Sequence, residues 1–139
     1  MHWRLGDFRS TLLDLTVRRS DYAMVGVTLT LFGGVLLREV PGGFGAARRR
    51  VGIPIIETID STVSILDENR ELSMHIGPDY VHVVLETGIS RPECLIADRV
   101  GFFVANMELV GLVFGPLVTA EHDAVLQILS NKHHSIKID

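Results

Sequence analysis

Sixteen consecutive uncharged residues, Tyr22–Leu37, run into Arg38-Glu39-Val40 and then into Pro-Gly-Gly-Phe-Gly-Ala-Ala-Arg-Arg-Arg at positions 41–50. An apolar run of that length has only three fates. As a membrane helix it would rise about 24 Å, short of a hydrocarbon core of ~30 Å. As a buried helix it is poor, because it carries two threonines, three glycines and several valines. As extended chain it fits: Val25, Val27, Leu29 and Leu31 alternate with Gly26, Thr28 and Thr30, the pattern of a half-buried strand. Gly33-Gly34 breaks that alternation before Val35-Leu36-Leu37 resumes it, which predicts a β-hairpin turning at the glycine pair.

The stretch that follows has no periodicity. Residues 41–50 read as a flexible Gly/Arg loop with Phe44 as its one apolar anchor. Gly43, Gly45, Arg48, Arg49 and Arg50 together suggest an anion- or partner-binding element for phosphates, carboxylates or an acidic protein surface. The competing reading is a solvated loop whose charge keeps the protein in solution. A dinucleotide loop is a poor match: the third small residue falls on Arg48, and Pro54 leaves too little room for the receiving helix.

Composition enters through what must be hidden. The 139 residues suit a single domain, residues 1–139, with one core. They are 47% hydrophobic but only 6% aromatic and 22% charged, with a mean hydropathy of +0.30. That much aliphatic surface predicts contact with another chain, so a homo-oligomer is expected. Charge divides unevenly: residues 1–50 carry a net +4 and residues 51–139 a net −8, an asymmetry able to steer head-to-tail association of identical chains. The lone Cys94 excludes an internal disulfide. No apolar stretch of signal-peptide length opens the chain and no transmembrane segment is read, so a cytoplasmic location is expected, or assembly there into a particle.

In chain order, residues 3–18 read as an amphipathic helix, with Trp3, Phe8, Leu12 and Leu15 on one face and Asp14 and Arg18 spaced as an i,i+4 pair. Residues 53–56 start an extended segment, and 62–66 and 72–76 read as antiparallel strands around a turn at Asp67-Glu68-Asn69-Arg70. A second turn, Gly77-Pro78-Asp79, leads to a strand over 80–86 with Val81, Val83 and Leu85 on one side and His82 and Val84 on the other. Residues 94–100 suggest a helical turn or two. Residues 101–119 form a second apolar run, with a hairpin or bulge near Asn106. A C-terminal helix follows, capped by Thr119, with Glu121 and Asp123 in its first turn, Ala124, Val125, Ile128 and Leu129 as its stripe, and Lys132, His133 and His134 at its end. The expected class is α+β: a mainly antiparallel sheet of about six to eight short strands with helices near both ends.

Candidate chemistry is sparse. Cys94 with His75 or His82 could form a thiolate–imidazole pair, although a cysteine beside Leu95 and Ile96 also reads as a buried apolar residue. Glu108, inside an apolar run, reads as a general acid/base, half of an intersubunit ion pair, or a strand end facing water. His122, His133 and His134 lack the spacing of a metal site, and no cofactor motif is present. Asp60-Ser61-Thr62 lacks the glycine that an aspartic-protease turn requires. Glu86-Thr87-Gly88, Ala97-Asp98 and Ala105-Asn106-Met107-Glu108-Leu109-Val110-Gly111 resemble a stretch of bacterial microcompartment shell proteins. That family's glycine-rich pore segment and following strand are missing, and residues 1–80 match nothing in it. With no complete catalytic constellation, the expected function is a structural, self-assembling subunit of a virion, tail, shell or similar particle. Two alternatives stand beside it: a small oligomeric enzyme or ligand-binding protein with a pocket near His82, Glu86 and Glu108, and a regulatory module binding nucleic acid or an acidic partner through Arg48–Arg50.

Overall fold

A period of two, not of 3.6, governs the first seventeen residues. The computed structural model describes residues 1–9, 11–31, 36–37, 39, 42–45, 47–55, 62, 64–86 and 91–127. In it β1 (His2–Gly6) and β2 (Thr11–Val17) form an antiparallel hairpin where the sequence suggested a helix. Thr11, Leu13, Leu15 and Val17 are buried, and Leu12, Asp14 and Thr16 alternate with them. Turn chemistry enforces the reversal: Asp7 Oδ1 accepts from the amides of Arg9 (2.8 Å) and Thr11 (3.2 Å), and Phe8 sits at φ 60°. The predicted Asp14–Arg18 pair does not form. Asp14 lies 2.9 Å from His2 Nδ1 across the hairpin, and Arg18 reaches Asp21 at 2.7 Å.

β3 (Met24–Leu31) is the expected strand, but it pairs with β2. The expected hairpin partner, β4 (Leu36–Leu37), instead pairs parallel with β7 (Ser73–Ile76) in another sheet. Gly33-Gly34 lies outside the described residues. β6 (Ile65–Asn69) runs through the predicted Asp67–Arg70 turn and pairs parallel with β1. Arg4 explains why so polar a strand forms there: it donates to both Asp67 oxygens, at 2.6 and 2.7 Å, from the opposite register position. The small sheet therefore has the order β3-β2-β1-β6.

The large sheet has the order β4-β7-β8-β11-β10-β9-β5, with β5 at Arg48–Val51, β8 at Val81–Val84, β9 at Glu93–Ala97, β10 at Val100–Ala105 and β11 at Glu108–Phe114. β9 replaces the helical turn expected at 94–100. The turn at Gly77-Pro78-Asp79 is as predicted, closed by Gly77 N to Tyr80 O at 2.9 Å. So is the hairpin at Asn106, where Asn106 and Met107 both take positive φ (53° and 65°) and a bulge lies between Phe103 and Val104. One helical turn, α1 (Gly42–Gly45), precedes β5. Residues 119–127 form the short C-terminal helix α2, whose Glu121 Oε1 accepts from Val118 N at 2.9 Å and from Arg99. Ile128, Leu129, Lys132, His133, His134 and the tail lie outside the described residues.

The α+β expectation is therefore corrected. The protein is mostly strand, in two sheets that mix parallel and antiparallel pairs, with a short C-terminal helix and no N-terminal one. Leu5, Leu13, Leu15 and Met24 of the small sheet pack against Met74, Val83, Phe102 and Leu112 of the large one. The large sheet's other face carries a second cluster, Val84, Cys94, Phe103 and Val110, covered by Phe44. β8 is accordingly buried on both faces, its Val81 and Val83 inward and its His82 and Val84 outward, as its alternation predicted. Among the described residues no helix is long and apolar enough to cross a membrane.

Candidate functional site

The stretch read as an unpacked loop is fastened to the outer face of the large sheet. Phe44 is 1% exposed and stacks on Phe103, with ring centroids 4.3 Å apart and planes 13° from parallel. Gly111 of β11 makes the seat: a Cβ there would lie 2.5 Å from a Phe44 ring carbon. Phe44 thus serves as the anchor its isolation in the sequence suggested. Ala47 N bonds back to Phe44 O at 3.3 Å, and the chain then runs out as β5.

β5 pairs parallel with β9 in the register Arg48–Glu93, Arg49–Cys94, Arg50–Leu95 and Val51–Ile96. All four of its residues are exposed. Arg50 donates to Glu93 at 2.7 Å, whereas Arg48 and Arg49 make no ion pair among the described residues. The three arginines are therefore displayed along the rim of the large sheet, and a strand, not a mobile loop, spaces them.

Beside Arg49 the outer face opens into a groove of about 630 Å³, walled by Phe44, Tyr80, His82 and Ile96. His82 meets Tyr80 edge-on (5.0 Å, 88°) and lies 5.6 Å from Phe103 and 6.3 Å from His75. It is 7% exposed, and its Nδ1 has no hydrogen-bond partner among the described residues. Burial first, then the charges of His75 and Arg49, pushes its pKa down to about 4, so the ring is neutral at pH 7. Cys94 is fully buried in the same face, and burial pushes its thiol up against a smaller opposing pull from Arg49. That direction favours the neutral thiol over the thiolate.

The pocket expected near His82, Glu86 and Glu108 is divided between two places. Glu86 and Glu108 do come together, in a separate groove of about 400 Å³ with Trp3 and Arg70. Arg70, read from the sequence as a turn residue, organises that groove by donating to Leu85 O (3.2 Å) and Glu86 Oε1 (3.0 Å). Trp3 Nε1 is buried there without a hydrogen-bond partner among the described residues. His82 stands on the other face of β8, because its neighbours Val81 and Val83 point into the inter-sheet core. Glu108 is exposed at the start of β11, the water-facing strand end among its three readings. His122 donates from Nε2 to Gly77 O at 2.9 Å. Asp60 and Ser61 lie outside the described residues.

The chain matches no family model and no curated protein.

Proposed function

We propose that the chain is a structural, self-assembling subunit of a multi-chain particle, and that its copies meet along strand edges. The observation that carries this is where the exposed apolar side chains lie. Among the described residues the two sheets end in β3, β6, β4 and β5, with β3 met at its start by the Ala23–Ile55 bridge. Each carries at least one large exposed apolar residue: Val25 (48%), Ile65 (53%), Leu37 (57%) and Val51 (93%). Ile53 and Ile55, just beyond β5, are exposed as well. An edge presents unpaired N–H and C=O groups, and apolar side chains beside them make it a template for another strand. Charged side chains, proline and shortness blunt such edges, and β3, eight residues long, carries no charge and no proline. Light scattering after size exclusion, over a wide dilution series, tests the proposal. A mass that is a multiple of 15.4 kDa is expected. A single species of subunit mass at every concentration overturns it.

One observation favours a second reading, a small-molecule-binding protein: the buried His82 Nδ1, without a partner among the described residues, at the wall of the groove beside Arg49. Native mass spectrometry of protein never exposed to denaturant would register a retained anionic or aromatic ligand, and a spectrum of bare protein opposes this reading.

A further inference from the structure

We infer that the arginine edge of one copy pairs with the acidic edge of the next: β5 lies antiparallel to β6, with Val51 opposite Ile65, Arg50 opposite Leu66, Arg49 opposite Asp67 and Arg48 opposite Glu68. The inference rests on the self-assembly reading and names the surface that carries it.

Both strands are free on one side among the described residues. β5 ends the large sheet and β6 ends the small one. β5 reads Arg-Arg-Arg-Val and is exposed throughout; β6 reads Ile-Leu-Asp-Glu-Asn and is exposed at every position but Leu66. A pair of β5 edges would bring arginines from two copies together, and a pair of β6 edges would gather Asp67 and Glu68 twice over. Like charges directly opposite are unfavourable, so each edge selects the other.

Side-chain alternation then fixes the register. On β5, Arg49 and Val51 share the face of Cys94 and Ile96, their register partners, while Arg48 and Arg50 take the other face. On β6, Leu66 packs into the core beside Trp3, which leaves Ile65 and Asp67 on the face of His2 and Arg4. The stated pairing joins face to matching face. A slip of two residues puts Val51 opposite Asp67 or Arg49 opposite Ile65, and a slip of one turns every side chain to the wrong side. Only the stated register joins Val51 to Ile65 and both acids to arginines, with Arg50 left opposite Leu66.

The acids already have neighbours. Asp67 is held by Arg4, and Glu68 lies 3.6 Å from Arg70. Arg49 would therefore complete a row of arginine, aspartate and arginine across β1, β6 and the incoming β5, and Arg48 would sit beside Glu68. Arg50 keeps Glu93, its partner within the chain. The contact uses different surfaces on the two copies, so two copies that exchange it reciprocally form a two-fold dimer, and copies that do not form a ring or an open filament.

Charge reversal tests this. The Arg48→Glu variant and the Glu68→Lys variant, which leaves the Arg4–Asp67 pair in place, should each lower the assembled mass toward the subunit mass of 15.4 kDa by light scattering, with unchanged circular dichroism. Mixed in equal amounts they should reassemble, because each substituted edge complements the other's, which a merely misfolded variant could not do. Separately, Val51→Cys with Ile65→Cys should give disulfide-linked multimers on a non-reducing gel, the buried Cys94 staying out of the reaction. A wild-type assembly whose mass neither variant lowers, or a mixture that stays monomeric, or a gel without multimers overturns the β5–β6 pairing. A wild-type chain that is itself monomeric overturns the broader self-assembly reading instead.

Discussion

Acidification toward pH 4 should cost this protein about 3 kcal/mol through one side chain, His82. The unfolded chain protonates that imidazole at its ordinary pKa of 6.5, while the folded protein resists until about 4. Between those values the unfolded state binds the extra proton. Stability is therefore whole above the ordinary pKa, falls as the pH drops through the interval, and stops falling below the folded value. The slope is about 1.4 kcal/mol per pH unit, which over this interval gives the stated loss. Because His82 is 7% exposed, solvent screening removes little of it. The arginine-paired carboxylates act lower on the scale: Asp21 is pushed down to about 2, and Asp67 and Glu121 are lowered by Arg4 and Arg99. Their contributions are present at higher pH and fade only as it falls toward and through those depressed values. The assay is urea denaturation followed by Trp3 fluorescence between pH 7 and pH 4.5, on wild type and His82→Leu. Wild type should lose midpoint steadily, and the variant, with nothing to protonate at that position, should stay nearly level. Equal losses in the two proteins would refute the reasoning.

Two further outcomes concern the packing that places the arginines. Phe44→Ala removes the ring stacked on Phe103 and should destabilise by about 3–5 kcal/mol in the same denaturation assay; a loss below about 1 kcal/mol would mean that the segment is not anchored there. Gly6→Ala should cost about 1–3 kcal/mol, since its φ is 145° and a Cβ would lie 2.3 Å from Thr11 O, while Gly45→Ala, with open space around it, should change stability by less than about 0.5 kcal/mol; equal effects would contradict the turn geometry.

Parts of this architecture were legible in the sequence where one strand carries its own instructions. The alternation in β8 told which residues share a face, the Asn106 turn needed only local backbone chemistry, and Phe44 stood out as the one large side chain among glycines and alanines. The failures share a different cause. Trp3, Phe8, Leu12 and Leu15 do fall on one helical face, yet the same segment alternates from Thr11 to Val17, and neighbouring strands decide between the periods. Asp67-Glu68-Asn69 looks like a turn to any local rule. It is a strand because Arg4, 63 residues earlier, stands opposite Asp67. The glutamate pair of the second groove was within reach of composition, but its organiser Arg70 was not, because its partner Glu86 comes from a distant part of the chain.

High aliphatic content alone suggested more apolar surface than one subunit can hide. A sheet covered on both faces hides more than that estimate allowed: the large sheet packs the small sheet on one side and Phe44 on the other, and β8 exposes neither face. Total hydrophobicity therefore no longer demands a partner. Among the described residues, Val25, Leu37, Val51 and Ile65 remain exposed on strands that end a sheet, while Phe8, Met107, Val118 and Leu126 are exposed elsewhere. Two of those ends carry opposite charge, and the register that matches their charges also brings Val51 to Ile65. Folding can bury the faces of a sheet but leaves its edges open, and the proposed β5–β6 pairing would close two of them with further copies of the chain.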